Sequence, residues 1–240
     1  MIESGCVLDS YWYAQLTIYP GPYPGPLRCA RYNLQNDVAE MEAAARHRQV
    51  RAAFDDTTII VYQAYSPEIA DPALSTGRFV APFKRDRMTW IKPSFLWMMY
   101  RCGWATKPGQ ERVLAVEVSR EGFDWALEHS ALSHYDPSIH PSHAEWETSM
   151  AQPVRIQWDP ERDLHFNPLP HRAIQIGLGG EAVDRYVDEW VVSISDVTST
   201  AHSIGALVDR GLLSEAAKLL PAESIYPLRA TLSKVVGATG

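Results

Sequence analysis

Short apolar runs and alternating polar positions predict a series of strands in the middle of the chain. The first run, residues 57–65, is rich in β-branched and aromatic side chains, which is typical of a strand. Residues 154–158 alternate between apolar and polar positions, as a strand with one buried face does. The other predicted strands are residues 88–91, 113–118, 173–176 and 190–194.

Helical patterns lie between these strands but do not alternate with them regularly. Ser66 and Pro67 predict the start of a helix, and Gly77 predicts its end. The apolar run 95–100 predicts a buried helix that starts after Pro93. Because strands outnumber long helices, the pattern predicts an α+β fold. Further helices are predicted at residues 121–130, 181–186 and, with a break at Gly211, 201–220, and a long loop is predicted at residues 133–152.

The two ends of the chain differ from this central part. Residues 19–26 combine proline, glycine and tyrosine in a pattern that neither a helix nor a central strand tolerates. A short helix is predicted directly after Asn36 and Asp37, either of which can cap it. We therefore predict an N-terminal extension over residues 1–48, one α+β domain over residues 49–228 and a C-terminal tail over residues 229–240.

Composition narrows the class of protein without naming an activity. The 240 residues are 46% hydrophobic, carry a formal net charge of −7 and contain 3 scattered cysteines. No apolar stretch approaches the ~20 residues of a membrane span, and no signal-peptide pattern opens the chain, so we expect a cytoplasmic protein. The acidic balance argues against binding a nucleic-acid backbone over the whole surface. The histidines lack the HExxH spacing of a zinc helix, and no metal site is predicted.

The densest candidate chemistry lies in residues 83–97, where cations and aromatic rings are interleaved. Cations bind phosphates, and flat rings stack on bases or on nicotinamide. On a strand, Trp90, Lys92 and Ser94 project to one side and form part of a cleft wall. The alternative is a solvated basic loop that leads into a core strand. The cations of this segment are Lys84, Arg85, Arg87 and Lys92.

Two further stretches carry polar side chains at the ends of predicted strands. Gln63, beside Tyr62, has an amide that holds a ligand or caps a neighbouring loop. Glu189 lies next to the strand that begins at Trp190, where a carboxylate against apolar surface can stabilise a developing cation. A glutamate that simply faces solvent is the alternative interpretation of that position.

Long strings at these stretches resemble a family described only as domain of unknown function 4291. The similarity runs from about Val50 to Leu228, and the chain is identified as a member of this family. The strings that carry the resemblance are VRAAFDDTTIIVYQAYSPEIAD, FKRDRMTWIKPSFLWMMYR, VRIQWDPERD and RAIQIGLGGEAVDRYVDEWVVSISDVT.

The order of these motifs also resembles the ADP-ribosyltransferase-like fold, which implies a split, mostly antiparallel sheet flanked by helices. That superfamily has a His or Arg on a first strand, a Tyr, Ser or Thr on a second and a Glu on a late strand. The resemblance assigns Tyr62 and Gln63 to the first position, Thr89 to Ser94 to the second, and Glu189 to the third. Gln63 departs from the expected basic residue, and Thr89 stands where a Tyr or Ser is usual.

This resemblance implies a transferase that uses NAD or a related nucleotide, with an RNA, a protein or a small molecule as acceptor. Glu189 is expected to bind the ribose hydroxyl and to offset the charge of an oxocarbenium-like transition state, with Thr89 as a second catalytic residue. The residues expected to bind the nucleotide are Tyr62, Gln63, Arg87, Trp90, Lys92 and Ser94.

Two other functions would use the same residues. A non-catalytic module would bind a nucleotide or RNA through the basic and aromatic segment, with Glu189 as a bystander. A phosphoryl- or nucleotidyl-transfer enzyme would use Lys84 or Lys92 as its reactive amine.

Overall fold

The protein has an α+β fold over residues 48–239, which are the residues that the computed structural model describes. These residues belong to a unit that spans Gln35–Gly240. The strands are β1 (Arg51–Ala52), β2 (Thr58–Tyr65), β3 (Thr89–Ile91), β4 (Arg112–Ser119), β5 (Ser130–Leu132), β6 (Val154–Arg162), β7 (Pro168–Leu178), β8 (Val191–Asp196) and β9 (Ser224–Ile225). The helices are α1 (Pro67–Thr76), α2 (Phe95–Cys102), α3 (Arg120–Glu128), α4 (His143–Ser149), α5 (Glu181–Arg185), α6 (Thr198–Asp209), α7 (Leu213–Lys218) and α8 (Ala230–Val236), and a π-helical turn spans Tyr186–Trp190.

The strands form three sheets that are mostly antiparallel. The first has the order β2-β4-β8, the second has the order β3-β7-β6-β5, and β1 pairs with β9 in a small third sheet. Only β5 and β6 run parallel to each other among these pairs. The main hydrophobic core takes side chains from both larger sheets, for example Val61 and Val116 from the first and Ile156 and Ile176 from the second.

A backbone pairing between Tyr62 and Lys92 joins the two larger sheets. The amide N of Tyr62 donates to the carbonyl O of Lys92 at 2.7 Å, and the amide N of Lys92 donates back to Tyr62 at 3.2 Å. Lys92 follows β3 directly, so this pairing fixes β2 beside the residues that lead into α2. The basic and aromatic segment and the Tyr62–Gln63 stretch are therefore neighbours in space.

Helix α2 begins at a capped N-terminus and is buried on most sides. The Ser94 hydroxyl oxygen accepts a hydrogen bond from the amide N of Trp97, which satisfies a free donor of the first turn. Gly103 ends the helix in the left-handed conformation at φ 61°. The buried residues of the helix are Phe95, Trp97, Met98, Met99 and Cys102. A buried helix after Pro93 is thus confirmed.

Most predicted strands and helices are confirmed, with three differences in extent. The predicted loop 133–152 contains helix α4, which Ser142 caps through the amide of Glu145. The predicted strands 154–158 and 173–176 are the inner parts of the long hairpin β6–β7. Trp190 belongs to the π-helical turn rather than to β8. Prolines near the hairpin tip, including Pro160 and Pro168, disfavoured a strand prediction there because they interrupt strand patterns.

The predicted C-terminal tail contains a packed helix, α8. Leu232 and Val236 of this helix are buried in the main core. The indole N–H of Trp158 on β6 donates to the carbonyl O of Val236 at 2.7 Å. The residues after 228 therefore contribute to the fold.

The described residues begin at position 48. The predicted helix after Asn36 and the predicted N-terminal extension up to residue 47 therefore lie outside them. Within residues 48–239, no helix combines the length and the apolar character needed to cross a membrane.

Gly122 tests the packing between α3 and the π-helical turn. A Cβ atom at position 122 would overlap the indole ring of Trp190, although alanine is the better helix former. We expect Gly122→Ala to lower the free energy of unfolding by about 1–3 kcal/mol, because overpacking outweighs helix propensity. Glu128→Ala on the exposed side of the same helix is the control, with a change close to zero. Urea denaturation measures both, and a stabilising Gly122→Ala would contradict this packing.

Candidate functional site

The Gln63 side chain lies in a buried network between the two larger sheets. Gln63 is 2% exposed, and its amide N donates to the Tyr65 hydroxyl at 2.7 Å and to the Thr89 hydroxyl at 2.9 Å. Its amide O accepts from the Tyr186 hydroxyl at 2.8 Å. The structure thus brings Gln63 and Thr89 together, but it occupies the polar atoms of Gln63 within the protein. The catalytic role of Thr89 stays a prediction.

The remaining residues of the basic and aromatic segment are placed differently from one another. Arg87 is exposed in the loop before β3. The Trp90 ring packs over Gly177 of β7, where a Cβ atom would lie 3.0 Å from the indole. Lys92 and Ser94 are buried, at 6% and 3% exposure. The structure therefore collects Lys92, Ser94 and Tyr62 at one place, and leaves Arg87 at the surface.

Glu189 does not reach that place. Its side chain is 58% exposed and pairs with Arg185 at 3.5 Å on the preceding turn of helix. Val191, two residues on, lies opposite Val118, which in turn lies opposite Ile59. Gln63 is four residues further along β2 than Ile59, or about 13 Å at the rise of a strand.

The expectation that Glu189 shares a pocket with Gln63 and Lys92 is therefore wrong. The physical reason is the π-helical turn, which buries Tyr186 and Trp190 and directs the intervening Glu189 to the surface. Glu189 instead lines a separate cavity of about 190 Å³ with Trp125 and Arg185.

The face of the second sheet next to Lys92 is polar, although much of it is buried. Gln157 on β6 lies directly opposite Gln175 on β7. The two amide nitrogens donate to the two oxygens of Asp159, at 3.0 Å from Gln157 and 2.5 Å from Gln175. Lys92, which directly follows β3, interacts electrostatically with Asp159 on β6. Burial, followed by the nearby Arg101 charge, lowers the pKa of Lys92 to about 8.

Two carboxyl groups, Glu161 and Glu223, form what we call the acid pair. Glu223 precedes β9 and accepts a hydrogen bond at 2.7 Å from the amide N of Phe95, at the N-terminus of α2. Glu161 on β6 is 6% exposed and interacts with the Ser94 hydroxyl. Burial raises the pKa of both groups, and repulsion from Glu161 contributes to the value of about 8 for Glu223.

Three hydrogen-bond donors around the acid pair are buried and have no partner. They are Nε of Arg51, Nε of Arg162 and Nε1 of Trp97, and they account for all but one of the buried unpartnered side-chain atoms within residues 48–239. Arg51 interacts electrostatically with both members of the acid pair. The Arg162 guanidinium lies over the Tyr100 ring at 3.9 Å and the Trp97 ring at 5.5 Å. We call these atoms the unpartnered donors.

Such donors are uncommon in native proteins, because a buried polar group without a partner costs about 1–3 kcal/mol. Buried donors without a protein partner, next to carboxyl groups of raised pKa, make this place the candidate ligand site of the described residues. The arrangement can bind acceptor-rich groups, such as phosphates, and can donate or accept a proton.

The sequence interpretation missed Arg51, Glu161, Arg162 and Glu223. For Glu161 there was a signal, since Gln157, Asp159 and Glu161 alternate along β6 and place polar groups on one face. No comparable pattern marked Glu223, which lies in an irregular segment far along the chain.

A cavity of about 210 Å³ leads to the Asp159 side of this region. It lies beside the part of β6 that follows Ile156, which is the last β6 residue that pairs with β5. Gln157 and Asp159 line it from the sheet, and Arg48 and Asp136, which form an ion pair at 2.8 Å, line it from outside. Within the same described residues, no group of three or more histidine, cysteine or acidic side chains is arranged to hold a metal ion.

The raised pKa of Glu223 predicts how stability depends on pH. The folded state holds this proton more tightly than the unfolded chain, so the free energy of unfolding falls as the pH rises from 4.5 towards 8. Glu223→Gln keeps the acceptor for Phe95 and removes the titration. We expect it to flatten this fall and to raise stability near pH 8 on the order of 1 kcal/mol or more.

Urea denaturation at pH 5 and at pH 7.5 measures this effect. Lys92 contributes little to the pH dependence over this range. Its pKa is about 8 in the folded protein, so it is mostly charged in both the folded and the unfolded state. Glu128→Gln, at an exposed position, is the control and should keep the wild-type pH dependence. Equal pH dependence in the wild type and Glu223→Gln would contradict the burial of this carboxyl group.

Comparison with known proteins identifies the family of the chain. Residues 49–226 match the sequence profile of the family described as Domain of unknown function (DUF4291). No curated protein matches the chain significantly. The match covers most of the 240 residues, including Lys92, Glu161 and Glu223, and the chain therefore belongs to the DUF4291 family.

Proposed function

We propose that this protein is a transferase that uses NAD or a related nucleotide as its donor, with its active site at the acid pair. The observation that carries the proposal is the set of unpartnered donors around Glu161 and Glu223. Oxygen atoms of a pyrophosphate are strong acceptors, and guanidinium groups are well suited to bind them. Arg51 and Arg162 supply guanidiniums, and Trp97 supplies an indole N–H.

The acid pair takes the chemical role that the sequence interpretation gave to Glu189. Breaking a nicotinamide–ribose bond builds positive charge on the ribose, as in glycoside hydrolysis. A carboxylate beside the sugar stabilises that charge, and a second carboxyl group of raised pKa exchanges a proton with the acceptor. Glu223, with a pKa of about 8, is mostly protonated at neutral pH, and in this proposal Glu161 supplies the carboxylate.

The sheet arrangement also supports a nucleotide transferase of the ADP-ribosyltransferase-like type. Two mostly antiparallel sheets meet at the Tyr62–Lys92 pairing, and helices flank them. The acid pair, Ser94 and Lys92 lie near this junction, where strand ends from both sheets converge. In this assignment Lys92 and Ser94 keep their predicted place in the nucleotide site. Thr89 and Gln63 support the strands beneath it, through their shared hydrogen bond.

Substitution of the acid pair tests the proposal against the alternative of a non-catalytic module. We expect Glu161→Gln to lower the rate of nicotinamide release from NAD by about 100-fold or more, because it removes the carboxylate that stabilises the positive charge on the ribose. Nucleotide affinity, measured by isothermal titration calorimetry, should change little. Arg162→Met should instead weaken nucleotide affinity by about tenfold or more, because it removes a charged hydrogen-bond donor.

Two further variants complete this experiment. Glu128→Gln, at an exposed position, is the matched control and should behave as the wild type in both assays. Glu189→Gln discriminates between the two candidate acids, since loss of turnover in Glu189→Gln but not in Glu161→Gln would contradict the assignment. Nucleotide binding without turnover in the wild type would favour the module, and no binding of NAD, ADP-ribose or ATP would overturn the proposal.

A further inference from the structure

The amine of Lys92 is buried without an ion-pair partner among residues 48–239. It is 6% exposed, and its hydrogen bond is a long one, 3.4 Å, to the carbonyl O of Trp90. An ammonium group in such a place is costly, because burial removes water without supplying a compensating carboxylate. A residue retained there at this cost is a candidate for chemistry rather than for stability.

Asp159 interacts electrostatically with Lys92 but forms no ion pair with it among residues 48–239. Both of its oxygens accept hydrogen bonds, one from Gln157 and one from Gln175. Asp159 is therefore an oriented acceptor, fixed by two amides on adjacent strands. A carboxylate placed in this way can exchange a proton with the amine through one water molecule.

The burial of Lys92 favours a neutral amine. It is the main cause that lowers the pKa of Lys92 to about 8, and the like charge of Arg101, near the end of α2, adds to it. The thiol of Cys102 and the Asp159 carboxylate act in the opposite direction. About half of the amine is thus unprotonated at mildly basic pH, near its pKa of about 8, as a nucleophile requires.

Lys92 is also close to the proposed active site along two strands. Ser94, which contacts Glu161, is two residues beyond Lys92. Glu161 is two residues beyond Asp159 on β6. The electrostatic interaction of Lys92 with Asp159 and the hydrogen bond of Ser94 with Glu161 are therefore two residues apart along both segments.

We propose that Lys92 is a covalent nucleophile that forms a C–N bond with the anomeric ribose carbon of the donor nucleotide. This inference rests on the proposed function and extends it to a two-step transfer. In the first step the Lys92 nitrogen attacks that carbon, the bond from the carbon to nicotinamide breaks, and nicotinamide leaves neutral with the bonding electron pair. One amine proton passes to Asp159.

In the second step the acceptor attacks the same carbon and its proton passes to the acid pair. The bond to Lys92 breaks, and the amine recovers its proton from Asp159. No oxidant or reductant takes part. Between the two steps the ribosyl-lysine can open its ring to an imine, since the ring oxygen leaves the carbon and takes up the proton that the lysine nitrogen loses. The buried position of Lys92 protects such an imine from water.

Reductive trapping tests the proposal in the full-length protein. NAD is added together with sodium cyanoborohydride, which reduces an imine to a stable amine, and the adduct is located by peptide mass mapping. We expect an ADP-ribosyl adduct at Lys92 that requires the reductant and forms within the first turnovers. Lys84 is the internal control, because it is exposed and reacts only with ADP-ribose that has accumulated in solution.

A variant that keeps a buried straight chain, Lys92→Met, removes the amine, and Lys84→Met is its matched control. Loss of the adduct and of nicotinamide release in Lys92→Met, with nucleotide affinity retained, supports the proposal. Nicotinamide release at the wild-type rate in Lys92→Met, or release by the wild type with no adduct at Lys92, overturns it while leaving the proposed function in place. Absence of both nucleotide binding and nicotinamide release in the wild type overturns the two together.

Discussion

The backbone pairing of Tyr62 with Lys92 positions the groups of the candidate site. It is formed by two backbone hydrogen bonds, at 2.7 and 3.2 Å, and it holds the two larger sheets side by side. Because Lys92 is fixed there, Ser94 caps α2 at a defined place, and the first turn of α2 presents the Phe95 amide to Glu223. A backbone contact between two of the predicted motifs thus determines where the polar side chains meet.

This arrangement places groups that destabilise the fold at one site. Two carboxyl groups of raised pKa, a lysine of lowered pKa and three donors without partners are concentrated there, whereas the Gln63 network nearby is fully bonded. The contrast separates two kinds of buried polar group. Satisfied groups such as Gln63 specify the packing of the core, whereas unsatisfied groups such as Trp97 Nε1 are typical of function.

Local pattern was sufficient for most of the fold and for part of the site. The β-branched run of β2 and the apolar run of α2 were predictable because each is determined by neighbouring residues. The motifs also indicated Lys92 and Ser94 as neighbours of Tyr62. Glu223 was not predictable, since its position depends on a segment that returns across the fold to the N-terminus of α2. Glu189 was expected beside Gln63 and Lys92, but the π-helical turn leaves its side chain exposed, and periodicity cannot show such a turn.

The indole N–H signals of the tryptophans, observed by NMR during titration with NAD, show directly whether the unpartnered donors bind the nucleotide. The Trp97 indole has no partner, whereas those of Trp146 and Trp158 donate to the carbonyls of Leu132 and Val236. If the unpartnered donors bind the donor nucleotide, the Trp97 signal, assigned with Trp97→Phe, shifts and gains protection from solvent exchange. The Trp146 and Trp158 signals then stay in place. A saturable shift of another indole signal, with an unchanged Trp97 signal, would show that the nucleotide binds elsewhere and not at the unpartnered donors.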